Sequence, residues 1–301
     1  KEKERLTYET KPLRIHNEKS KKYVKSPLNY IGGKYKLLPQ IMPHFPTDIN
    51  TFIDLFAGGA NVGINVEANK IICNDINIKI VEMFNAFKNM ELEDILERID
   101  SSIKKYNLSK TNEKGFIRFR NAYNKNPDPI DLYTLASYSF NYQFRFNNKH
   151  QYNNPFGRNR SHFSDRMREN LVAFVTRLKD KEIEFCSEDF VNMDLSALGP
   201  QDFVYCDPPY LITTGSYNDG NRGFKNWGRK EEEQLYRLLN DLNERNIRFA
   251  LSNVLVHKGE INESLLEWSK GYNVIHLNSN YANASYNTRR GDSDEVLIVN
   301  Y

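Results

Sequence analysis

The stretch Asp202-Phe203-Val204-Tyr205-Cys206-Asp207-Pro208-Pro209-Tyr210 joins a short apolar run to an acid, two prolines and an aromatic residue. Phe203 to Cys206 has the length and composition of a buried strand. The strand has to end at the prolines, because each has a fixed φ and no backbone N–H, and nearby carbonyls are left to accept hydrogen bonds from elsewhere. Asp207 and Tyr210 then lie at the carboxyl end of a strand, where open α/β sheets carry their sites. A strand that merely ends in a turn is the alternative.

A second informative stretch, residues 51–75, has the pattern of a βαβ unit. Its parts are, in order, a strand at Thr51–Phe56, a glycine turn at Ala57-Gly58-Gly59-Ala60-Asn61, a helix opening over Val62–Ala68 and a strand at Lys70–Asp75. Asp75 follows Asp54 by 21 residues, a spacing that suits an acid that binds ribose hydroxyls. The turn is not Gly-x-Gly-x-x-Gly, so the dinucleotide fingerprint is not met and a nucleoside cofactor is favoured. An ordinary turn of an α/β sheet is the alternative.

Charge distribution is more informative than total charge. The 301 residues carry a formal charge of only +3, but lysine and arginine concentrate at 1–36 and 145–168. The chain has 18 tyrosines and 18 phenylalanines, and several lie among those basic residues. Basic side chains contact phosphates and aromatic rings stack on bases, so the combination favours a nucleic-acid partner.

The remaining pattern alternates helices and strands, with no internal repeat. We predict helices from Tyr35, within 76–142, over Asp165–Lys179, over Glu231–Asn243 and over Glu260–Ser269, strands at Ile183–Cys186, Arg248–Asn253 and Asp294–Tyr301, and mobile segments at 1–25 and 211–228.

The three cysteines, Cys73, Cys186 and Cys206, lie in apolar strand-like runs without metal-ligand spacing. This predicts buried, reduced thiols in the cytoplasm and no bound metal. No apolar run of about 18 residues exists, so no membrane span is predicted. The charged start, Lys1 to Arg5, lacks the apolar centre of a signal peptide.

The segment 145–160 is rich in asparagine, arginine and aromatic residues, and its glycine and prolines interrupt regular structure. Such side chains suit a loop that contacts base edges: arginine for guanine, asparagine for adenine and aromatics to wedge or stack. A solvated loop is the alternative. The candidate DNA contacts are Arg145, Asn147, Lys149, Arg158 and Arg160.

Taken in order, these motifs resemble the Dam-like, α-ordered group of N6-adenine DNA methyltransferases over most of residues 26–301. The resemblance rests on Tyr30–Lys34, Asp54–Asn61, Asp75, Asn154–Arg158, Ser187–Phe190 and Asp207–Tyr210. It implies S-adenosylmethionine as cofactor, duplex DNA as substrate and a catalytic tetrapeptide at Asp207, Pro208, Pro209 and Tyr210. The cofactor-binding residues that it implies are Tyr30, Lys34, Asp54, Phe56, Gly58, Gly59, Asp75, Asp189, Phe190 and Asp207. The chain departs from the group at Lys149-His150, where Arg-Gly or Lys-Gly is common, which leaves the recognition sequence open.

The expected fold is an α/β, Rossmann-like methyltransferase sheet with helices on both faces and an antiparallel strand at its end. We predict a lysine-rich extension at 1–25, a catalytic domain from 26–87 and 166–301, and a helical target-recognition insert at 88–165. The family implies a restriction–modification role, with a cognate restriction endonuclease as partner and a monomeric or weakly dimeric enzyme.

Two classes of alternative stay open at this point. The chain is an amino-methyltransferase with another substrate, namely cytosine N4, RNA adenine or protein glutamine, or a catalytically silent DNA-binding module. Related enzymes usually have Ser or Asn in place of Asp207 when they act on cytosine or glutamine, which favours adenine. The intact acid and glycine turn argue against a silent module.

Overall fold

An eight-stranded sheet forms the centre of the fold within the residues that the computed structural model describes, which are 23–30, 32–216, 227–277 and 293–301. The strands are β1 (Ile49–Asp54), β2 (Ala68–Asn74), β3 (Ile183–Cys186), β4 (Phe203–Cys206), β5 (Arg248–His257), β6 (Glu260–Ile261), β7 (Asn273–His276) and β8 (Ser293–Val299). Their order is β3-β2-β1-β4-β5-β8-β7, with β6 paired to β5. β1 to β5 are parallel, and β8 is antiparallel to both β5 and β7. The predicted Rossmann-like sheet is confirmed.

The chain reverses its direction across the sheet between β1 and β4. It proceeds outward from β1 to β2 and β3, then returns to place β4 on the other side of β1. Loops that follow β1 and β4 therefore diverge, and the crevice between them is where open α/β sheets bind ligands. Asp54 pairs with Tyr205 in register, so the end of β1 and the start of the Asp207–Tyr210 motif share one edge of the sheet.

The central strand β4 is buried on both faces. Phe203 and Tyr205 belong to one apolar core, and Val204 and Cys206 belong to the other. Burial on both faces explains why the strand is a continuous apolar run rather than an alternating one.

Helices cover both faces of the sheet, as predicted. They are α1 (Leu38–Ile41), α2 (Ile78–Asn89), α3 (Leu92–Tyr106), α4 (Glu113–Lys125), α5 (Pro129–Ser137), α6 (Asp165–Asp180), α7 (Arg229–Glu244) and α8 (Glu263–Ser269). Helices α1 to α6 contribute to one core, and α7 and α8 contribute to the other.

Four of these helices account for the predicted helical region 76–142. A partly exposed ion pair joins α3 to α5: Arg98 donates to both carboxylate oxygens of Asp131 at 2.9 and 2.7 Å. Helix α2 crosses the predicted start of the insert at residue 88. The domain boundaries stay a prediction.

The predicted helix over Val62–Ala68 is wrong. Residues 61–65 form turns, and β2 begins at Ala68. Residues 62–66 are all buried, and the Ile64 and Val66 N–H groups donate to the Ala60 and Val62 carbonyls. These turns do not extend into a helix, because the chain enters β2 at Ala68 and pairs there with Ile49 of β1.

The predicted helix over Glu260–Ser269 begins later than expected. Glu260–Ile261 pairs with β5 as β6, and the Asn262 side chain accepts from the Leu265 N–H at 3.1 Å, which sets the start of α8. Strand β7 was not predicted, because its four residues are exposed or half-buried and show no apolar run.

The expectation of three buried thiols is wrong for one of them. Cys73 and Cys206 are buried, but Cys186 is only half-buried. It ends β3, which is the edge strand of the sheet, and one side of an edge strand has no neighbour to cover it.

The two segments predicted to be mobile are only partly described. Residues 1–22 and 217–226 lie outside the described residues. Of the rest, Val24 is tied to Asn65 by two hydrogen bonds, at 2.9 and 2.8 Å, and Leu211–Ser216 is a short 3₁₀ helix rather than a loop. No helix in the described ranges has both the length and the apolar character needed to cross a bilayer.

Candidate active site

A cleft opens at the carboxyl ends of β1 and β4, at the reversal point of the sheet. It encloses about 840 Å³ when counted out to its open mouth. Twelve of the residues predicted to bind cofactor or to act in catalysis line it: Tyr30, Lys34, Asp54, Phe56, Gly58, Gly59, Asp75, Asp189, Phe190, Asp207, Pro208 and Pro209. The thirteenth, Tyr210, is attached to this group through Asp207. Other cleft residues lie within the predicted motifs but were not singled out as site residues, namely Gly32, Gly33, Leu55, Ala57, Asn61 and Glu188, and Ile76, Tyr205 and Trp227 lie outside those motifs.

The glycine turn after β1 forms one wall. Gly58 has φ +51°, and a Cβ on it would lie 3.0 Å from Cδ1 of Tyr30. Only glycine adopts this conformation readily and allows the ring so close. The Ala57 N–H donates to the Asn74 carbonyl at 2.7 Å, so the turn is fixed to the end of β2.

Asp75 stabilises this turn from the neighbouring strand. One carboxylate oxygen accepts from the Gly58 N–H and the other from the Asn77 N–H, both at 2.9 Å. Burial raises the pKa of Asp75, and hydrogen bonds from Asn77, Gly58 and Tyr30 oppose the rise. The acid predicted to bind ribose thus also sets the shape of the glycine turn.

The Asp207–Tyr210 motif is held by an ion pair that joins two distant parts of the chain. Lys34 Nζ lies 3.0 Å from Asp207 Oδ2, and the two side chains are only 6% and 16% exposed. The same ammonium donates to the Gly32 carbonyl at 2.7 Å and lies 5.0 Å from the centre of the Tyr210 ring. Tyr210 donates its hydroxyl to Asp207 Oδ1 at 3.1 Å. Burial raises the pKa of Asp207, while Lys34 and Tyr210 pull it down.

Several carboxyl groups lie close together in the cleft. Burial raises the pKa of Asp54 well above its usual range, and the charges of Asp207 and Asp75 raise it further. Its partner in the turn is the Phe56 N–H, which donates to Oδ1 at 3.1 Å. Lys34 lowers the pKa of both Asp54 and Asp207. Two buried acids, Asp54 and Asp75, and the largely buried Asp207 line a cleft whose lysine, Lys34, acts on only two of them, and this excess of carboxyl groups suits a cationic ligand.

Three aromatic rings form the apolar wall of the cleft. The ring centres of Phe56 and Phe190 are 5.3 Å apart, and those of Phe190 and Trp227 are 5.5 Å apart. Asp189, beside Phe190, accepts from the Val191 N–H at 3.2 Å. Trp227 was not among the predicted site residues. It lay in the segment 211–228 that was predicted as a mobile loop, whereas its side chain is buried and hydrogen-bonded to Glu232.

The predicted DNA contacts do not line the cleft. They lie in the segment after α5, whose chain passes through Asn141, Tyr142, His150 and Asn159 with positive φ. The side chain of Asn147 accepts from the Lys149 and Gln151 N–H groups at 2.9 and 3.0 Å, so it holds a turn.

The predicted basic residues of this segment differ in their surroundings. Arg158 forms an exposed ion pair with Glu113 of α4. Lys149 and Arg160 are exposed, and Arg145 is half-buried. Asn29, next to the Tyr30–Lys34 motif, donates to the Asn141 carbonyl at 2.8 Å, which connects the segment to the cleft.

Comparison with known proteins agrees with this geometry. Residues 30–283 match the family model of the D12 class N6 adenine-specific DNA methyltransferases. The chain is 57% identical over 291 residues to the type II methyltransferase M.FokI of Planomicrobium okeanokoites and 55% identical over 294 residues to the modification methylase StsI of Streptococcus sanguinis. Each match covers 97% of the chain but 45% of the relative, so the chain spans about half the length of these two relatives. The DNA adenine methylase of Escherichia coli K12 is 26% identical over 231 residues, which is 75% of the chain and 79% of that enzyme.

Proposed function

The chain belongs to the D12 class of N6 adenine-specific DNA methyltransferases, and from that membership we propose that it transfers a methyl group from S-adenosylmethionine to N6 of an adenine flipped out of duplex DNA. One observation carries the proposal: Asp207 and Pro208 line the same cleft as the glycine turn and Asp75. A methyl donor and an acceptor amine held in one cleft can be brought into line for transfer.

The residues of the cleft suit this cofactor. Asp54, Asp75 and Asp207 have their pKa values raised by burial, so a bound sulfonium cation would relieve part of the cost of their charges. We assign Asp75 and the Gly58–Gly59 turn to the ribose side, and Asp189 and Phe190 to the purine. When bound, S-adenosylmethionine supplies an electrophilic methyl group.

Asp207 and Pro208 are assigned to the acceptor amine. The lone pair of adenine N6 is shared with the ring, which makes the nitrogen a poor nucleophile. The Asp207 carboxylate and the Pro208 backbone carbonyl would accept its two hydrogens and draw the nitrogen toward a tetrahedral shape. The gain is positional and electrostatic rather than covalent.

Lys34 would keep Asp207 in its acceptor form. A carboxylate accepts hydrogen bonds at both oxygens, whereas a protonated acid donates with one of them. Since burial raises the pKa of Asp207 and Lys34 opposes the rise, the ion pair extends the pH range in which the acid is ionised. This role adds to the cofactor-binding role that the family resemblance implies for Lys34.

Tyr210 is assigned to the flipped base. An adenine inside a duplex cannot reach a cleft of this kind, so it has to leave the stack at a cost of a few kcal/mol. Stacking on one aromatic ring returns about 1–3 kcal/mol. The hydrogen bond from Tyr210 to Asp207 fixes its ring beside the acid that handles the amine.

The basic segment after α5 is assigned to duplex DNA. Arg145, Lys149, Arg158 and Arg160 would contact phosphates or base edges, and Asn147 would shape the turn that presents them. Arg158 would exchange the Glu113 carboxylate for DNA at small cost, because exposed ion pairs contribute at most about 1 kcal/mol.

The names of the similar proteins suggest the biological setting. One is called a type II methyltransferase and another a modification methylase. On this basis the chain would protect DNA from a cognate restriction endonuclease, as a cytoplasmic monomer or weak dimer.

The test compares wild type with Asp207→Ala and with Asp194→Ala, an exposed acid in the connection before β4. Labelled methyl transfer to duplex DNA should fall at least about a hundredfold in Asp207→Ala, since it loses a group that stabilises the transition state, and should be unchanged in Asp194→Ala. DNA binding, measured by fluorescence anisotropy, should survive in both variants. Near-normal turnover in Asp207→Ala would refute the assigned role.

A further inference from the structure

Trp227 is part of the cleft, although neither the family motifs nor the mechanism above uses it. Its side chain is buried and lines the cleft. The indole packs edge-on against Phe56, with ring centres 5.6 Å apart, and lies 5.5 Å from Phe190. The three rings contact one another, so a flat ligand would pack on the surface that they form together rather than between them.

A buried carboxylate fixes the indole. Trp227 Nε1 donates to Glu232 Oε2 at 2.6 Å, and Glu232 is fully buried. The other oxygen, Oε1, accepts from the Tyr236 hydroxyl at 2.8 Å, and also from the side-chain amides of Asn253 at 3.3 Å and Asn262 at 3.5 Å. These donors come from α7, from β5 and from the residue that caps α8. The rim of the cleft is thereby joined to three elements of the core.

The backbone beside Trp227 is held as well. The Gly228 N–H donates to the Glu231 carboxylate at 2.9 Å, and the Gly228 carbonyl accepts from the Glu232 N–H at 3.1 Å. Burying a carboxylate is costly unless hydrogen bonds compensate it, and the pKa of Glu232 is raised by that burial. A buried acid whose hydrogen bonds fix a cleft-lining ring is therefore more consistent with positioning of that ring than with packing alone.

We propose that Trp227 is a further cofactor-binding residue that packs on the purine of the nucleoside cofactor, and that Glu232 is a positioning residue that sets the plane of its indole. The inference rests on the proposed function. The purine site would then include both Phe190, which follows β3, and Trp227, which lies two residues before the start of α7.

Intrinsic fluorescence tests the proposal without turnover. The chain has two tryptophans, so Trp268→Phe leaves Trp227 as the only indole. Trp268 lies on α8, where it donates to Asn240 and stacks on Tyr236. Titration of Trp268→Phe with S-adenosylhomocysteine or adenosine should change the indole emission, and methionine, which has no purine, should leave it unchanged. Trp227→Phe, which keeps Trp268, should show little change with any of the three.

Affinity and steady-state kinetics separate positioning from general destabilisation. Calorimetry should show that Trp227→Leu binds S-adenosylhomocysteine at least about tenfold more weakly than wild type, the loss expected for one ring–purine contact. Glu232→Gln should raise KM for S-adenosylmethionine with a much smaller change in kcat. Glu233→Gln, an exposed neighbour on α7, should match wild type.

The outcomes distinguish this inference from the proposed function. If wild type does not bind S-adenosylhomocysteine, the proposed function fails and the inference fails with it. If wild type binds but the emission of Trp268→Phe does not respond and Trp227→Leu keeps full affinity, the inference alone is overturned. A lower kcat in Glu232→Gln, with an unchanged KM for S-adenosylmethionine, would overturn the positioning role of Glu232.

Discussion

Replacing Lys34 with methionine should deprive Asp207, the acid to which we assign the acceptor amine, of its counter-ion. The substitution keeps most of the apolar stem and removes the ammonium that lies 3.0 Å from Asp207. Asp207 would then keep the Tyr210 hydroxyl as a hydrogen-bond donor. It would also stay near Asp54, and the charge of Asp207 raises the pKa of Asp54. We expect the variant to fold with lower stability and to lose activity at the acidic end of its pH range.

The size of the effect follows from burial. Both side chains of the pair are largely buried, and removing one partner of a buried pair costs about 3–5 kcal/mol. Asp207 can limit that cost by taking up a proton. At about 1.4 kcal/mol per pKa unit, 3 kcal/mol corresponds to a rise of about 2 units. The acidic limb of the kcat profile should therefore move about 2 pH units upward.

The assay is methyl transfer under saturating cofactor and DNA across the pH range, with urea unfolding measured in parallel. Lys36→Met is the matched control, because Lys36 lies two residues away and is exposed. Its pH profile should overlay that of wild type. An unshifted acidic limb in a folded, active Lys34→Met protein would refute the argument that Lys34 keeps Asp207 ionised.

Two further predictions address the glycine turn and the buried acids. Gly58→Ala should cost about 1–2 kcal/mol of stability because of its positive φ, and it should also weaken S-adenosylhomocysteine binding because the new Cβ contacts Tyr30. The control is Gly259→Ala, at a position with φ +79° and open space around it, which should lower stability without affecting binding. Equal affinity of the two variants for S-adenosylhomocysteine would contradict the role of the Tyr30 contact. Burial raises the pKa of Asp54 in the folded state, so the carboxyl ionises at lower pH in the unfolded chain, and the contribution of Asp54 to stability is lost as pH rises through the raised value. Asp54→Asn should therefore gain unfolding free energy relative to wild type as pH rises above the ordinary range of an aspartate, and a difference in urea unfolding that stays constant with pH would contradict the assignment.

The parts of the fold that could be predicted are those where local sequence and tertiary environment agree. Phe203–Cys206 is continuously apolar because β4 is buried on both faces, and the two prolines end it as expected. The helix predicted over Val62–Ala68 failed because the chain enters β2 at Ala68, where it pairs with Ile49 of β1. That pairing depends on the surrounding fold and has no local signal.

The site could be predicted as a set of residues but not as a network. Lys34 and Asp207 were each singled out, yet their ion pair joins positions far apart in the chain and depends on the sheet order. Asp75 was expected to contact ribose from its spacing, whereas its hydrogen bonds to the Gly58 and Asn77 N–H groups appear only in three dimensions. Trp227 had no motif to mark it, and its hydrogen bond to Glu232 is visible only in the structure.

The most direct test of the account is the identity of the base that receives the methyl group. The 301-residue chain would be incubated with labelled S-adenosylmethionine and a pool of duplex DNA of varied sequence, the modified nucleosides would be separated, and the sites would be mapped by sequencing. We predict label in N6-methyladenine within one short motif. Label in N4-methylcytosine, or no transfer by a chain that binds both cofactor and duplex DNA, would contradict it.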